Sequence, residues 1–396
     1  MKLLLIEPSP HGGLLHYIAQ LADALAKRGH SVDLLATRDN ELVDRPLTAR
    51  MRADLPRLPV QPGAAPTGLA YRVRQAKIAL ALARSWAQIL VRSRTGGHDA
   101  VITGADVGMV PTALASFMLT MIPGRPTLVR ICHNARTYNR WGGNDIYKEP
   151  RVLGALLARA DRRYDLTVFP GERARAEYEQ KRPTLRSVIV PHGDERLFGE
   201  EAPPPATEER ILFFGDQRKV KGLPVLLDAF DQLVQRRPGV RLTIAGSPHP
   251  NDLDPEPVRR WATGHGDRVE LIDDYVPMDA VAGIFARARV VVTPYIAGSQ
   301  SGVIALAQTM ARAVVTTDVG ELGDVVGDDR SGRVVAPNDP DALATALEAV
   351  VIDPELAERY GAEGRRRGVD ARGWESGAET LERAVAPLVE ERRTSR

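Results

Sequence analysis

A basic loop at a predicted strand-to-helix turn is the strongest chemical signal in the sequence. The apolar run 211–214 predicts a strand, Gly215 follows it, and Arg218 and Lys221 come just before a helix-like pattern that Gly222 opens. At such a turn, two cations, loop amides and the positive end of a helix can converge on one anion. A pyrophosphate suits this geometry, and a solvated basic loop is the alternative.

A second loop of the same kind lies 77 residues beyond Lys221, at 298–302, where the sequence reads GSQSG before a helix predicted from Val303. A polar, glycine-bearing loop at a helix N-terminus presents free backbone amides to an anion. The alternative is that Ser301 simply caps the helix through its hydroxyl. The sequence therefore predicts two anion-binding loops in the second half of the chain.

Composition sets the class of protein. A chain of 396 residues is too long for one ordinary core, and 43% hydrophobic and 26% charged residues are typical of soluble globular proteins. The net charge of +2 gives no argument for nucleic acid, and the single cysteine, Cys132, fits a reducing compartment. The first apolar run is too short for a signal-peptide core, and no run approaches the ~18 residues that span a bilayer. We therefore expect a soluble, cytoplasmic protein.

Strands alternate with helices in two rounds, which predicts an α/β fold with parallel, doubly wound sheets. The predicted strands of the first round are 3–6, 31–36, 100–103, 127–132, 166–169 and 187–190. Those of the second are 211–214, 241–245, 269–272, 290–292, 313–316 and 332–335. Between the rounds, 199–210 holds three prolines and four glutamates and is typical of a linker. We predict two Rossmann-like domains, 1–198 and 211–372, that face each other across a cleft.

Ligands of such sheets bind beyond the carboxyl ends of the strands, so the residues that follow the strands should face the cleft. In the first half these include Gly12, Gly13 and His133, with Asn134 after it. In the second half they are 215–221, Ala245 with Gly246, Asp274 with Tyr275, and 294–302, and these segments contain both anion-binding loops.

The motifs in this order resemble those of retaining family 4 glycosyltransferases with the GT-B fold. The matching segments are GGLLHYIAQLADALAKRGHSVDLLA, RICHN, VPHGDERLF, FFGDQRKVKGLPVLLDAF, LTIAGSP, ELIDDYVPMDAVAGIFARARVVVTPY and QSGVIALAQTMARAVVTTDVGELGDVV. Each is weak alone, but seven in the family's order carry the resemblance. It implies transfer of a sugar from a nucleotide-diphosphate donor to an acceptor hydroxyl, and a C-terminal helix (373–396) that returns to the first domain.

The resemblance also implies a role for each matching residue. Arg218 and Lys221 would hold the donor phosphates and His133 would approach the transferred sugar, which makes these three the candidate catalytic residues. The candidate donor-binding residues are Gly12, Gly13, Gly215, Gly246, Tyr275, Gln300, Ser301 and Gly302. The resemblance implies that the amides of Gly12 and Gly13 approach either the donor phosphates or the acceptor. Fixed cations can stabilise a diphosphate leaving group as a metal would. We therefore expect no metal and no cofactor, although Asp273 and Asp274 form the nearest carboxylate pair.

One departure from the family pattern concerns two glutamates that many relatives carry with seven residues between them. The second contacts the nucleotide ribose. Leu306 stands at the second position and Gly298 at the first, and neither side chain can accept a hydrogen bond from a ribose hydroxyl. This leaves two alternatives open: a catalytically silent protein that binds nucleotide sugars, and a GT-B nucleotide-sugar epimerase.

The acceptor side belongs to the first half, where residues 45–94 carry ten basic residues and one acid, Asp54. Residues 71–94 predict a helix with Trp86 and aliphatic residues among the bases. Basic amphipathic helices of this kind lie on anionic membrane surfaces, and relatives that glycosylate lipid-linked carriers dock this way. The acceptor would be a glycan, a lipid-linked carrier or a small molecule, and the enzyme would be peripheral at the inner face of the membrane. A solvated arginine face is the alternative, and nucleic acid is disfavoured.

Overall fold

The structure, a computed structural model of the 396-residue chain, describes residues 1–58, 68–104, 110–133, 155, 158–180, 184, 186–199, 201–249 and 252–394. It contains two fully parallel sheets. The first, in the order β3-β2-β1-β4-β5-β6-β7, consists of β1 (Lys2–Glu7), β2 (Ser31–Thr37), β3 (Arg50–Leu55), β4 (Ala100–Thr103), β5 (Thr127–Ile131), β6 (Leu166–Phe169) and β7 (Ser187–Ile189). The second, in the order β10-β9-β8-β11-β12-β13, consists of β8 (Arg210–Phe214), β9 (Arg241–Ala245), β10 (Val269–Ile272), β11 (Val290–Thr293), β12 (Ala313–Thr317) and β13 (Gly332–Val335).

Helices cover the sheets. Among the described residues of the first half they are α1 (Gly13–Lys27), α2 (Gly68–Thr95), α3 (Val110–Thr120) and α4 (Glu172–Glu179). In the second half they are α5 (Leu223–Arg236), α6 (Pro255–His265), α7 (Met278–Arg287), α8 (Gly302–Thr309), α9 (Leu322–Val326), α10 (Pro340–Val351), α11 (Pro354–Arg365) and α12 (Trp374–Thr394). The two α/β domains and their parallel sheets are those of the predicted GT-B architecture.

Each sheet has one core on each face. In β1, Leu3 and Leu5 pack with α1, whereas Leu4 and Ile6 pack in the cluster that holds Trp86 of α2. Strands that are buried on both faces lose the alternation of apolar and polar residues and become continuous apolar runs. For this reason the central strands were visible in the sequence as unbroken apolar segments.

Aspartate-proline pairs start three helices of the second domain. The side chains of Asp339 and Asp353 accept hydrogen bonds from backbone amides in the first turns of α10 and α11, each at 2.9 Å. Proline follows each aspartate at the first helical position, where its missing amide proton costs nothing. Asp254 caps α6 in the same way, at 3.1 Å.

The strand order reverses between β1 and β4 in the first sheet, and between β8 and β11 in the second. At such a switch point the two adjoining connections leave the sheet in opposite directions and open a crevice at its carboxyl edge. The loop with Gly12 follows β1. In the second sheet, the basic loop follows β8 and the loop at 294–301 follows β11. Both predicted anion-binding loops therefore flank one crevice.

The last helix, α12, packs on α1 across the first domain. Trp374, Leu381 and Val385 belong to the same buried cluster as Leu3 and Ile18. Ion pairs fasten the helix along its length: Arg28 with Glu382 at 2.7 Å near its middle, and Arg392 with Asp165 at 2.5 Å near its end.

Two buried arginines hold the proline-rich segment 199–210 on the second domain. Arg312 donates to the carbonyl oxygens of Pro204 at 2.7 Å and Phe285 at 2.9 Å, while Arg289 donates to that of Thr207 at 2.6 Å. Burial lowers the pKa of Arg312 to about 10. The segment is thus attached along its middle to one domain rather than spanning freely between two.

Candidate functional site

The basic loop folds back against the loop that follows β11. After Arg218, residues Lys219–Lys221 form one 3-10 turn, and Gly222 takes a left-handed conformation with φ of 69°. A Cβ added at Gly222 would lie 1.8 Å from the carbonyl oxygen of Pro294. Only glycine fits this close approach, which brings the two loops into contact.

Lys221 connects the two loops through Tyr295. Its ammonium nitrogen donates to the hydroxyl of Tyr295 at 2.9 Å and lies 4.7 Å from the centre of the ring. The hydroxyl of Ser301 also donates to the Tyr295 hydroxyl, at 3.2 Å. Ser301 makes no capping hydrogen bond to α8, so the predicted alternative of a plain serine cap is wrong. A cation therefore stands beside the N-terminus of α8.

The other two cations of the loop differ in their surroundings. The Nε atom of Arg218 lies 3.6 Å from the Asp216 carboxylate, and the Arg218 side chain is 37% exposed. Lys219 is exposed, and its backbone amide donates to Asp252 at 3.3 Å. Arg218 is thus half-buried beside Lys221, whereas the Lys219 side chain reaches solvent.

Two glycines let the ends of β8 and β9 approach each other. Gly215 has φ of 104°, and Gly246 has φ of 145°. A Cβ at Gly246 would lie 2.2 Å from the Gly215 carbonyl oxygen, and one at Gly215 would lie 3.5 Å from the Nζ atom of Lys221. Both predicted glycines are therefore required by the backbone at the carboxyl ends of β8 and β9.

His133 meets Gln300 across the cleft. The imidazole is 3% exposed and packs edge-on against Tyr17, with ring centres 4.6 Å apart. The amide nitrogen of Gln300 donates to Nδ1 of His133 at 3.2 Å. Tyr17 also packs against Trp374 of α12 at 4.7 Å, so the position of His133 depends on the returning helix. Asn134, which follows in the sequence, lies outside the described residues.

Glu41, which lies in no recognisable sequence motif, joins Gly12 to Tyr275. Its Oε1 atom accepts from the Gly12 amide at 2.6 Å and from Nε2 of His16 at 2.7 Å. Its Oε2 atom accepts from the hydroxyl of Tyr275 in the other domain. Burial by itself would raise the pKa of Glu41, but the bonds from His16, Tyr275 and Gly12 outweigh it and hold the pKa below its ordinary value.

The remaining predicted glycines sit at the first residues of helices. Gly13 begins α1, and a Cβ added there would meet open space. Gly302 begins α8, where an added Cβ would lie 3.5 Å from Nε2 of His192 and 3.8 Å from Glu195. Glu195 is buried, which raises the pKa of its carboxyl group, and it accepts from Gln20 at 2.9 Å.

Leu306, which stands where many relatives have the second glutamate, is part of the apolar core. Leu306 is 4% exposed and belongs to the apolar cluster that holds Leu212 and Tyr295. In the neighbouring connection, Glu321 donates its amide to the Ser299 carbonyl at 2.9 Å, and its carboxylate accepts from the Ala174 amide of α4 at 2.8 Å. The Glu321 carboxylate thus lies beside the Gln300 loop, but it is hydrogen-bonded to α4 of the first domain.

The carboxylates of Asp273 and Asp274 already have partners. Asp273 accepts from Arg259 at 2.5 Å and from Gln217 at 3.1 Å, and Asp274 accepts from the Tyr275 amide at 2.7 Å. Within the described part of the chain, no group of three or more His, Cys, Asp or Glu side chains could hold a metal ion.

Glu41 and His16 are the site residues that sequence reasoning missed. Tyr295 comes two residues after β11, within the strand-end segment 294–302 that was predicted to face the cleft, but the sequence assigned it no role of its own. Glu41 lies in an irregular loop without a motif, and its contact with Tyr275 spans 234 residues. Only the folded chain brings these groups together.

The basic helix α2 has a buried and an exposed side. Ile78, Leu82 and Ile89 are buried, as is Trp86, which is 2% exposed and packs in the core of the first domain. Trp86 is therefore not available to a membrane, contrary to the expectation from the sequence. The described helices include none that is long and apolar enough to cross a bilayer.

Two family profiles match, one in each half of the chain. Residues 11–193 match Glycosyltransferase Family 4, and residues 208–353 match Glycosyl transferases group 1. The boundary between the two matches falls at the proline-rich segment.

Three curated relatives each match about half of the chain. The phosphatidyl-myo-inositol mannosyltransferase of Mycolicibacterium smegmatis is 30% identical over 46% of this chain and 47% of its own length. The D-inositol 3-phosphate glycosyltransferase of Segniliparus rotundus is 28% identical over 58% and 52%. The alpha-maltose-1-phosphate synthase of M. smegmatis is 32% identical over 43% and 46%. The chain thus matches about half the length of these relatives.

Solved structures share the fold along nearly the whole chain. Sucrose-phosphate synthase from Thermosynechococcus elongatus superposes with a TM-score of 0.75 at 18% identity and covers 98% of this chain and 99% of that one. Anabaena HepE in complex with UDP and glucose gives 0.70 at 15% identity, covering 98% and 99%. WaaG, a glycosyltransferase involved in lipopolysaccharide biosynthesis, gives 0.65 at 16%, covering 96% and 98%. With both halves matched and two facing parallel sheets, the chain belongs to the GT-B glycosyltransferases of the group 1, family 4 type.

Proposed function

We propose that the protein transfers a sugar from a nucleotide-diphosphate sugar to an acceptor hydroxyl. The donor diphosphate would bind between Arg218, Lys221 and the amide groups at the N-terminus of α8. The observation that carries this proposal is the Lys221–Tyr295–Ser301 connection, because it holds a cation at a helix N-terminus that Ser301 leaves uncapped. Both features favour an anion, and both lie at the switch point of the second sheet.

The chemistry follows from the leaving group. As the bond between the sugar and the diphosphate breaks, negative charge grows on the phosphate oxygens. Fixed cations and helix amides stabilise the transition state most where that charge develops. On this account Arg218 and Lys221 do the work of a metal ion, and transfer proceeds with retention, as the resemblance implies. His133, held by Tyr17 and Gln300, would lie beside the transferred sugar.

The comparisons support a choice of substrate class. A structural neighbour is bound to UDP and glucose, and the names of two relatives contain an inositol compound. We therefore propose a nucleoside-diphosphate hexose as donor and a glycan, a lipid-linked carrier or a small polyol as acceptor, in the synthesis of a polysaccharide or glycoconjugate. A catalytically silent homologue is the second candidate, because buried Leu306 supplies no carboxylate to a ribose.

The test has two stages. Thermal shift with UDP, GDP, ADP and dTDP should identify one diphosphate that stabilises the protein, since a ligand that binds the folded state raises its melting temperature. Turnover of the corresponding sugar nucleotides is then measured by diphosphate release with a panel of acceptors. Stabilisation without release from any donor would favour the silent homologue. No stabilisation by any diphosphate would contradict the proposed donor site.

We also propose that the outer side of α2 and α3 docks on an anionic lipid surface. Leu69, Val73 and Leu80 of α2 are exposed, and Leu114, Met118 and Met121 are exposed on and just after α3. The exposed bases Arg72, Lys77 and Arg84 lie on the same helix as the first three. Exposed apolar side chains among cations suit a bilayer with acidic head groups better than water alone.

Vesicle sedimentation tests the docking surface. Reversal of charge at Arg72, Lys77 and Arg84 should abolish binding to vesicles of phosphatidylglycerol and phosphatidylcholine. A control with three exposed bases reversed in the second half of the chain, Arg260, Arg330 and Arg383, should bind as the unmodified protein does. If the unmodified protein fails to sediment with these vesicles at low salt, the proposed docking on an anionic lipid surface is wrong.

A further inference from the structure

We infer that Glu41 is a specificity-determining residue that makes the acceptor side of the cleft reject phosphate-bearing acceptors and accept uncharged hydroxyl compounds. The inference rests on the proposed function, in which the acceptor binds against the first domain. It concerns a side chain to which neither the sequence motifs nor the relatives give a role.

The position of Glu41 decides what the N-terminus of α1 can bind. Gly12 precedes the first residue of α1, so its amide and those of the first turn form the positive end of that helix. Such an end is a ready anion site. Here the Gly12 amide already donates to Glu41 at 2.6 Å, and Nε2 of His16, one turn further along, donates to the same oxygen at 2.7 Å. The protein's own carboxylate therefore stands where a bound anion would.

Three hydrogen bonds fix the Glu41 side chain, so a ligand cannot easily displace it. It accepts hydrogen bonds from the Gly12 amide, His16 and the hydroxyl of Tyr275, and together these keep its pKa below the ordinary value, so it is ionised at neutral pH. Two further rings pack on these partners: the centre of His11 lies 5.4 Å from that of Tyr275, and the centre of Phe198 lies 5.0 Å from that of His16. Displacement of Glu41 would cost three bonds and leave a charged group partly buried.

An anionic acceptor and a neutral one meet different conditions at this site. A phosphate group beside Glu41 would face a fixed like charge, which is a common way in which proteins exclude a competing ligand. A carboxylate has about four acceptor positions, and the three bonds leave about one, on Oε2. A hydroxyl group can donate to that position. The Glu41 side chain is 15% exposed, so part of it is open to solvent.

Direct binding measurements test the inference without turnover. All variants are made in an Arg218→Ala/Lys221→Ala background, so that the basic loop cannot hold the phosphate probe. Inorganic phosphate and D-inositol 3-phosphate are titrated by calorimetry, and myo-inositol is the uncharged counterpart. Glu41→Ala should bind both anions at least tenfold more tightly than the parent, because the N-terminus of α1 and His16 become available. Asp44→Asn removes an exposed carboxylate three residues further along the loop and should change neither affinity.

Two further outcomes decide the matter. Glu41→Gln keeps the shape of the side chain and loses only its charge, so it should also bind phosphate more tightly than the parent even if the alanine variant folds poorly. Equal phosphate binding by the parent and both Glu41 variants would overturn the inference, and an equal gain in Asp44→Asn would reduce it to a general effect of net charge. Failure of the proposed function would instead appear as absence of diphosphate binding in the unmodified protein, which these titrations do not use.

Discussion

Replacement of Lys221 by alanine separates a phosphate-binding role from a structural one. Its ammonium group has two contacts in the structure, a hydrogen bond to the Tyr295 hydroxyl at 2.9 Å and a cation–π contact at 4.7 Å. Their loss should cost about 1–2 kcal/mol of folding free energy. For domains of this size, that lowers the melting temperature by roughly 2–8 °C.

The expected loss of function is larger than this loss of stability. A fixed donor aimed at charge that develops in the transition state contributes roughly a hundredfold to a thousandfold in rate. Lys221 is only half-buried, so we expect the lower end, about a hundredfold in kcat/KM, which corresponds to ~2.7 kcal/mol. Affinity for the nucleoside diphosphate should also fall, because the leaving group keeps the same contact as a product.

Calorimetric titration of the stabilising diphosphate and steady-state kinetics measure both effects. Lys219→Ala is the matched control, since that lysine lies in the same turn but is exposed, and it should change kcat/KM by less than about twofold, as surface substitutions usually do. Tyr295→Phe keeps the ring under the ammonium group and removes the hydroxyl, so its kcat/KM should lie between those of Lys219→Ala and Lys221→Ala. Equal losses at Lys219 and Lys221 would show that the loop acts only as a basic patch, and the assignment of Lys221 would be refuted.

Three further predictions address metal, the missing glutamate and pH. Turnover should persist in EDTA, and complete loss that Mg²⁺ or Mn²⁺ restores would contradict the roles given to Arg218 and Lys221. Leu306→Glu should not raise kcat/KM and should destabilise the protein by roughly 3 kcal/mol or more in chemical denaturation, because it places an unpaired charge in an apolar cluster. Burial alone would raise the pKa of Asp165, but the hydrogen bonds from Arg125, Arg392 and the Leu128 amide outweigh burial and lower the pKa. The ionised Asp165 therefore stabilises the fold above its unfolded pKa, and this stabilisation is lost as pH falls through its folded pKa. Asp165→Asn should therefore lower the free energy of unfolding at pH 7 and approach the unmodified protein in acid; a deficit that stayed constant with pH would contradict this.

The fold could be predicted where burial leaves a continuous pattern. Five predicted strands, 100–103, 166–169, 241–245, 269–272 and 332–335, have the predicted bounds in the structure. Two of them, 100–103 and 166–169, are buried at every residue, as is typical of parallel strands covered on both faces. The strand Arg50–Leu55 was missed. It lies at the edge of its sheet, only Leu55 is fully buried, and its two arginines were counted as part of the basic segment.

The site was predictable to the extent that its chemistry is local. Arg218 and Lys221 stand in one loop with recognisable spacing, and that loop could be assigned to a strand end from sequence alone. Their partner Tyr295 belongs to another connection, and Glu41 meets Tyr275 only because two domains face each other. Trp86 was assigned to a membrane-facing side of its helix but is buried, because a helix pattern does not reveal which face the domain core covers.

The most direct test of the central claim is a crystal structure of the protein with the nucleoside diphosphate that stabilises it. The account predicts that the two phosphates lie within hydrogen-bond distance of Arg218 and Lys221 and against the amide groups of Gln300, Ser301 and Gly302. A diphosphate bound elsewhere, or bound through a metal ion at Asp273 and Asp274 without contact to Lys221, would contradict it.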